Sequence, residues 1–234
     1  MELENFNWGW MSEDSDLARF HKSSMIDEIW NRKQYEEIYQ VKEGDVVVDI
    51  GASVGPFSYS ILDKNPKIIY CLEPSKNMFE CLTDNLGDKS LNISLINRGI
   101  SHTNGNNSSY STPENQKLYG GESDMVGITF SKFIDDNKIN FIDFLKLDCE
   151  GGEYHIFTDE NIDYLLNNVG CIVGEWHLGK EDQKIDFRHF RDKYLKLFKN
   201  VEVYAVCGVK QNWDLYNDHF IEYYNNVIFH INNK

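Results

Sequence analysis

Long apolar runs are missing from this sequence. No uninterrupted apolar stretch approaches the length of about 18 residues that a membrane-spanning helix needs. The chain begins MELENFNWGW, without the basic and apolar segments of a secretory leader. We therefore expect a protein of the cytoplasm that neither crosses nor binds a membrane.

Cysteine is sparse and scattered. The five cysteines are never spaced as C-x-x-C, so neither a zinc site nor a dithiol redox motif is indicated. Most lie in or beside apolar runs, where cysteine behaves as a small hydrophobic residue. The five are Cys71, Cys81, Cys149, Cys171 and Cys207. This distribution fits a reducing compartment.

Basic residues are in deficit as well. The chain has 23 Lys and Arg against 38 Asp and Glu, which gives a net charge of −15 at pH 7. A field of that sign repels phosphate backbones and anionic lipid surfaces. The sequence also lacks a [DNS]-P-P-[YF] segment, which is typical of enzymes that modify nucleic-acid bases. We expect a neutral or cationic small-molecule substrate and no nucleic-acid partner.

Strand and helix patterns alternate through most of the chain. Short β-branched apolar runs recur, and helix-compatible segments separate them. This alternation predicts one α/β domain, residues 44–234, on a mostly parallel sheet covered by helices on both faces. Apolar residues at helical spacing in residues 1–43 predict an N-terminal helical appendage that acts as a lid.

Seven strands are predicted, and the last two, joined by a loop, should pair antiparallel. The predicted strands are Val46–Ile50, Ile68–Leu72, Ile93–Asn97, Phe141–Leu147, Gly170–Trp176, Val201–Val206 and Tyr223–Ile231. The predicted helices of the domain are Pro56–Leu62, Ser75–Asn85, Glu153–Leu166 and Phe187–Phe198. The polar segment Ser101–Glu122 is predicted to be a loop or an edge hairpin.

The segment VVVDIGASVGPF, residues 46–57, is typical of a cofactor-binding turn. Gly51 lets the chain leave the first strand with a backbone conformation that a side chain disfavours, and Gly55 lets the backbone approach a ligand. Pro56 suits the first position of the following helix. The sequence predicts that the amino end of that helix faces a ligand.

Two acidic residues indicate which ligand this is. Glu73 ends the second strand, where an acid accepts hydrogen bonds from a ribose diol. Asp49 stands two residues before the first glycine, where it would repel a pyrophosphate and suit an ammonium group. S-adenosylmethionine has the ribose and the ammonium group and lacks the phosphate, so we expect it as the cofactor.

The same turn also matches G-x-S-x-G, the nucleophile elbow of α/β-hydrolases. In that interpretation Ser53 is the nucleophile, and Asp148 and His177 follow in the hydrolase order. No HGGG-type oxyanion segment precedes the turn, and the pattern leaves Asp49 and Glu73 without a role. A serine hydrolase therefore stays an alternative.

Five segments resemble, in order and spacing, the FkbM family of S-adenosylmethionine-dependent methyltransferases. They are residues 28–45, 46–58, 70–75, 95–101 and 142–157, and the LKLDCEGGE block in the last is the most specific. Ser53 departs from the asparagine that the family has more often. The resemblance implies a Rossmann-like class I methyltransferase fold with an antiparallel last strand. It also implies a hydroxyl acceptor on a sugar, a glycan or a polyketide-like small molecule.

The carboxyl ends of the later strands supply further candidates. Asn97 follows the third strand and is predicted to contact the adenine or ribose, or to cap the loop. Asp148 and Glu150 end the fourth strand and point the same way, and Asp148 is expected to hold the methionine end of the cofactor or to orient the acceptor. Glu175 and His177 share a side at the end of the fifth strand.

His177 beside Glu175 is predicted to be the general base that takes the acceptor's hydroxyl proton. The cofactor-binding set is then Asp49, Gly51, Ser53, Gly55, Glu73, Asn97 and Asp148, and the catalytic set is His177, Asp148 and Glu175. The carboxylates together with His177 are also compatible with a divalent metal site, which we do not favour. A module that binds the cofactor without turnover is a further alternative, and a homodimer is possible.

Overall fold

The computed structural model describes residues 3–87, 92–106, 125–211, 216 and 218–234, with the side chain of residue 220 excepted. Its centre is a sheet of eight strands in the order β10-β9-β11-β8-β7-β1-β2-β3. The strands of this sheet are β1 (Val46–Ile50), β2 (Ile68–Leu72), β3 (Ile93–Ile96), β7 (Ile142–Leu147), β8 (Val169–His177), β9 (Asn200–Ala205), β10 (Lys210–Gln211) and β11 (Asn226–Asn232).

Parallel pairing dominates this sheet. β1 pairs parallel with β2 and β7, β2 with β3, and β7 with β8. β11 pairs antiparallel with both β8 and β9, so the predicted antiparallel last strand is confirmed. The α/β fold with a mostly parallel sheet is thus as the sequence predicts.

The strand count differs from the prediction of seven. The two-residue strand β10 adds to the edge of β9, where it pairs antiparallel after a short turn. A separate three-stranded sheet also forms, in the order β4-β6-β5, from β4 (Gly99–Ile100), β5 (Gly105–Asn106) and β6 (Val126–Ile128). Strands of two or three residues carry no readable periodicity, so the sequence does not predict them.

Helices cover both faces of the sheet. The helices in the described ranges are α1 (Asp16–Ile26), α2 (Pro56–Ser60), α3 (Lys76–Leu86), α4 (Phe130–Asn137), α5 (Ile162–Asn168), α6 (Glu181–Lys193) and α7 (His219–Tyr223). None of them is long and apolar enough to cross a membrane.

Two helix predictions need correction. The predicted helix Glu153–Leu166 is a 3₁₀ turn, Gly152–His155, followed by a loop and then α5. The predicted helix Phe187–Phe198 begins six residues earlier, at Glu181, because its first turns are charged and carry little apolar signal. α4 lies in a segment for which the sequence predicted no element. Residues 107–122 of the predicted loop lie outside the described residues.

The N-terminal segment packs on the domain through aromatic side chains. The hydroxyl of Ser15 accepts a hydrogen bond from the Ala18 amide and so caps α1, which ends in a turn of π-helix over residues 27–31. Trp8 is buried in a small cluster with Val54 and Met78 of the domain. Tyr35 is buried in a cluster that packs on one face of the sheet. These contacts fix the segment across the carboxyl ends of the strands.

A buried ion pair lies at the middle of the sheet. Asp49 of β1 and Lys146 of β7 are neighbours in register, and the lysine Nζ is 2.9 Å from the carboxylate Oδ1. The same ammonium donates to the carbonyl of Gly51 at 3.1 Å. Burial by itself lowers the pKa of Lys146, but the Asp49 carboxylate outweighs it and the pKa is raised. The lysine is therefore charged and holds β1 and β7 together.

We expect Lys146→Met to destabilise the fold by about 3–5 kcal/mol, because it leaves the Asp49 carboxylate buried without a counter-charge. Urea unfolding followed by circular dichroism measures the free energy. Lys132→Met is the matched control, since its pair with Asp136 is half exposed and is worth no more than about 1 kcal/mol. Equal losses in the two variants would contradict the role given to the buried pair.

Candidate active site

An open cleft lies at the carboxyl ends of β1, β2 and β7. Its volume is about 130 Å³. Met25 of α1 forms part of its wall, so the N-terminal segment contributes to the enclosure. The predicted residues that line it are Gly51, Ser53, Glu73, Asp148 and Glu150.

The glycine turn after β1 forms the floor of the cleft. Gly51 has φ +76°, and a Cβ there would lie 1.8 Å from the carbonyl oxygen of Asp148. Gly55 has φ +89°, and a Cβ there would lie 2.7 Å from Leu82 Cδ1. Gly51 thus permits β1 and β7 to meet, whereas Gly55 makes room for α3. The prediction that Gly55 brings backbone close to a ligand is corrected to a packing role.

Ser53 connects the turn to the end of β2. Its φ of +53° is left-handed, and its amide donates to Glu73 Oε2 at 2.8 Å. Its hydroxyl oxygen is buried and has no hydrogen-bond partner among the described residues. A buried hydroxyl at the wall of a cleft calls for a partner that the cleft itself would hold.

Glu73 is the acid that sequence analysis assigned to a ribose. Its carboxylate accepts hydrogen bonds from the amides of Ser53 and Ser75, both at 2.8 Å, and these fix its orientation. Burial raises its pKa to about 7, although the two amides favour the charged form. Each carboxylate oxygen keeps accepting capacity, which suits a pair of vicinal hydroxyls.

Asp49 and Asn97 lie behind the walls of the cleft. The Asp49 carboxylate is fully buried, where it accepts from Lys146 Nζ and from the Ser58 hydroxyl at 2.7 Å. The predicted direct contact with a ligand ammonium group is therefore corrected to support of the turn from beneath. Asn97 Nδ2 donates to the carbonyls of Glu73 and Pro74, which favours the loop-capping alternative.

Asp148 extends from β7 into a group of acidic side chains. The hydroxyl of Tyr35 donates to Asp148 Oδ2 at 2.9 Å, across 113 positions of sequence. Burial raises the pKa of Tyr35, and the charges of Asp148, Glu175 and Glu28 raise it further, so the phenol stays a hydrogen-bond donor. Tyr35 and Glu28 come from the N-terminal segment, and sequence analysis did not identify them as site residues.

Glu175 lies beside Asp148 at the end of β8. It is 8% exposed and accepts a hydrogen bond from the side-chain amide of Asn226. Burial, together with the charge of Asp148, raises its pKa to about 8. The carboxyl group is thus largely protonated at neutral pH, which lowers the negative charge at this edge.

His177 does not have the surroundings of a general base. Its Nδ1 is 3.0 Å from Glu153 Oε1, and its Nε2 is 3.6 Å from Glu150 Oε2. Burial lowers the pKa of the imidazole, but Glu153 outweighs it and the pKa is raised well above the usual value. A doubly protonated ring has no lone pair for an acceptor proton. The prediction of His177 as base is therefore corrected: the ring is the cation of a buried pair.

Glu153 is the residue that sequence analysis missed at this position. Its Oε1 also accepts the backbone amide of His177 at 2.8 Å, and its Oε2 accepts the amide of Gly151 at 2.9 Å. One fully buried carboxylate thus joins the loop after β7 to the end of β8. The acid in the LKLDCEGGE block was visible in the sequence, but its partner 24 positions away was not.

The contacts around Ser53 and His177 do not support a hydrolase triad. A triad needs the imidazole between the serine hydroxyl and an acid. Here Glu153 holds Nδ1, the Asp148 carboxylate accepts from Tyr35, and the Ser53 hydroxyl meets neither. Across the described residues, no three His, Cys, Asp or Glu side chains are grouped so that they could hold a metal ion.

The cleft has the donors and acceptors that S-adenosylmethionine requires. Glu73 suits the ribose diol, the Ser53 hydroxyl offers an unused hydrogen bond, and Asp148 and Glu150 provide negative charge for a sulfonium and an ammonium group. The glycine at position 51 keeps the space above the turn free of a side chain.

Comparison with known proteins identifies the family of this chain. Residues 49–201, well over half of the chain, match the model of the methyltransferase FkbM domain. No curated protein matches the chain significantly.

Among solved structures, the fibrillarin/Nop5p complex is similar with a TM-score of 0.52 at 15% identity, over 89% of this chain and 82% of that one. A rRNA methylase from Streptococcus thermophilus has a TM-score of 0.49 at 11% identity, over 86% of this chain and 93% of that one. Precorrin-6y C5,15-methyltransferase from Geobacter metallireducens GS-15 has a TM-score of 0.46 at 14% identity, over 94% of this chain and 90% of that one. At these identities the first of the three supports the Rossmann-like fold alone.

We expect the His177 ring to stay doubly protonated at neutral pH, and Glu153→Gln to lower its pKa. The pKa of His177 is raised in the folded protein. The contribution of the pair to folding stability is therefore full below about pH 6.5, the pKa of an unfolded histidine, and is lost as pH rises through the raised pKa of the folded state. Because the pKa of Glu153 is lowered, that contribution is also lost as pH falls through the lowered folded value. Ring ¹⁵N shifts followed between pH 5 and 9, roughly the range of histidine titration, measure this directly. A wild-type ring that titrates at its ordinary value would refute the pair.

Proposed function

Since this chain belongs to the FkbM family of methyltransferases, we propose that it methylates a hydroxyl oxygen of a sugar, glycan or polyketide-like small molecule. The chain is an S-adenosylmethionine-dependent methyltransferase, and the acceptor is the part of the function that we propose. When bound, S-adenosylmethionine supplies a methyl group made electrophilic by a positively charged sulfur.

The observation that carries the proposal is the position of Asp148 on the wall of the cleft. A hydroxyl must lose its proton as its oxygen takes up the methyl group, so an oxygen acceptor needs a base beside it. Asp148 lines the cleft, and its carboxylate is oriented by the Tyr35 hydroxyl at 2.9 Å. We assign the proton of the acceptor hydroxyl to the Asp148 carboxylate.

Glu175 is proposed to support Asp148 in this step. Its raised pKa, about 8, keeps it largely protonated, so two carboxyl groups can lie side by side without two full charges. With Glu175 protonated, Asp148 can carry the negative charge of the pair and act as the base. Glu28, whose burial also raises its pKa, closes the group from the N-terminal side.

The remaining residues are proposed to orient the cofactor. Glu73 would bind the ribose hydroxyls, the Ser53 hydroxyl and nearby turn amides would bind polar atoms of the methionine portion, and Glu150 would face its ammonium group. Methyl transfer depends mainly on an in-line approach, so such positioning is the main contribution of the protein.

The net charge and the cysteines support two further proposals, on the charge of the acceptor and on the location of the protein. The net charge of −15 favours a neutral or cationic acceptor and disfavours nucleic acid. All five cysteines are free, which supports a reducing, cytoplasmic location.

We expect Glu73→Ala to weaken binding of S-adenosylhomocysteine by roughly 10- to 100-fold, because a hydrogen bond to a charged group is worth about 1.5–3 kcal/mol. Calorimetric titration of the purified chain measures the affinity. Glu80→Ala, an exposed acid on α3, is the matched control and should bind as the wild type does. A folded wild type that does not bind the compound would overturn the cofactor assignment.

We expect Asp148→Asn to reduce kcat by about 10²- to 10⁴-fold, which is the contribution of a general base. The assay transfers an isotopically labelled methyl group to an acceptor found by screening hydroxylated small molecules. Asp163→Asn, an exposed change in α5, should leave the rate unchanged. Transfer only to amines, or a rate indifferent to Asp148→Asn, would sink the proposal of a hydroxyl acceptor.

A further inference from the structure

A second cavity lies on the same edge of the sheet, between the N-terminal segment and the end of β9. Its volume is about 280 Å³, and its walls include Arg32, Gln34, Glu37, Tyr204 and Cys207. None of these residues lines the first cleft or takes part in the steps proposed above.

Strand register connects this cavity to the methyl-transfer site. Glu175 of β8 is opposite Ile228 of β11, and Ile228 is opposite Tyr204 of β9. Leu147 of β7 is opposite Gly174, so Asp148 falls beside Glu175. Residues opposite one another share a face of the sheet, and neighbouring strands are about 4.8 Å apart. A row of side chains therefore runs about 14 Å from Asp148 to the wall of the second cavity.

The same piece of N-terminal chain lies over both ends of this row. Tyr35 donates its hydroxyl to Asp148, while the preceding residue, Gln34, lines the second cavity. The row between them is closed, because Glu175 and Ile228 are buried and Ile228 packs in one cluster with Tyr35 and Tyr204, so the second cavity is a separate site.

Gln34 is the residue that points to a ligand. Its side chain is 5% exposed, and its Oε1 accepts from the guanidinium of Arg32 at 3.3 Å. Because arginine only donates, this bond fixes which end of the amide is oxygen. The amide Nε2 then has no hydrogen-bond partner among the described residues. A buried donor beside a cavity calls for an acceptor oxygen in that cavity.

The charges around the cavity determine whether the acceptor oxygen of a ligand would be neutral or anionic. The guanidinium of Arg32 is the cation of the lining, and it is already engaged by Asp27 at 2.6 Å and by the carbonyl of Val206, with Glu28 at 3.8 Å. It therefore offers no unpaired positive charge to a phosphate or a carboxylate. Glu37 adds an acceptor for hydroxyl groups, and Tyr204 adds an aromatic ring. Such a lining suits a neutral, hydroxylated ring better than an ion of either sign.

We propose that this second cavity binds a neutral, hydroxyl-rich ring, at a site about 14 Å along the sheet edge from Asp148. This binding goes beyond the methyl transfer proposed above and can be tested without it. The Gln34 amide is the group that recognises an oxygen of the ring.

Saturation-transfer NMR with three probes tests this proposal: methyl α-D-glucopyranoside, glucuronate and glucosamine. We expect transfer to the neutral glycoside, and binding about tenfold weaker in Gln34→Leu, which removes the unpaired donor and keeps the side-chain volume. Absence of transfer to the neutral glycoside, or equal or stronger transfer to either charged sugar, would overturn the proposal.

Blocking the cavity in the otherwise unaltered chain gives a second test that does not depend on a core substitution. Cys207 is exposed at the cavity wall, so N-ethylmaleimide should attach there and abolish transfer to the glycoside. Cys207→Ser treated in the same way should keep it, and persistence of transfer in the modified wild type would refute the site. Titration with S-adenosylhomocysteine reports the first cleft separately, so failure of the cofactor assignment would leave the sugar result standing.

Discussion

The site depends on one constraint: β1 and β7 approach each other closely just beyond their last paired residues, Ile50 and Leu147. The amide of Asp148 donates to the carbonyl of Ile50 at 3.0 Å, and only the absence of a Cβ at Gly51 lets the carbonyl of Asp148 lie where it does. Lys146 fixes the same junction from below, since it bonds both the Asp49 carboxylate and the Gly51 carbonyl. The turn that forms the floor and the carboxylate that forms the wall are therefore one rigid unit.

The strands were predictable because their sequence signal is local. β1 and β2 begin and end at the predicted residues, since strands buried on both faces of a parallel sheet are continuous apolar runs. The glycine turn and Glu73 were predictable for the same reason: the strand–turn–helix unit has a fixed spacing. α6 was only half predicted, because its first turn, from Glu181, is charged and exposed.

The chemistry of the site was less readable, because it depends on pairs far apart in sequence. His177 was assigned as a base from its neighbour Glu175, but the carboxylate that determines its protonation is Glu153, on another strand's loop. Tyr35 reaches Asp148 across 113 positions, and no periodicity in the sequence indicates such a contact. Asp49 was assigned to a ligand from its place in the motif, whereas its partner Lys146 lies on β7. In each case the residue type was noted and the partner was not.

The ion pair of Glu153 and His177 explains how an acid-rich edge can stay ordered. Asp148 and Glu150 are acidic side chains two positions apart, and their repulsion would favour separation of the strand ends. Glu153 binds the amide of Gly151 on the β7 loop and both the amide and the ring of His177 on β8, so the two strand ends cannot move apart. Because His177 is a cation, it also offsets part of the negative charge that its neighbours present. In the function proposed above, the histidine would thus act through the position and charge of the carboxylates, and Asp148 would take the acceptor proton from its place beside the cleft.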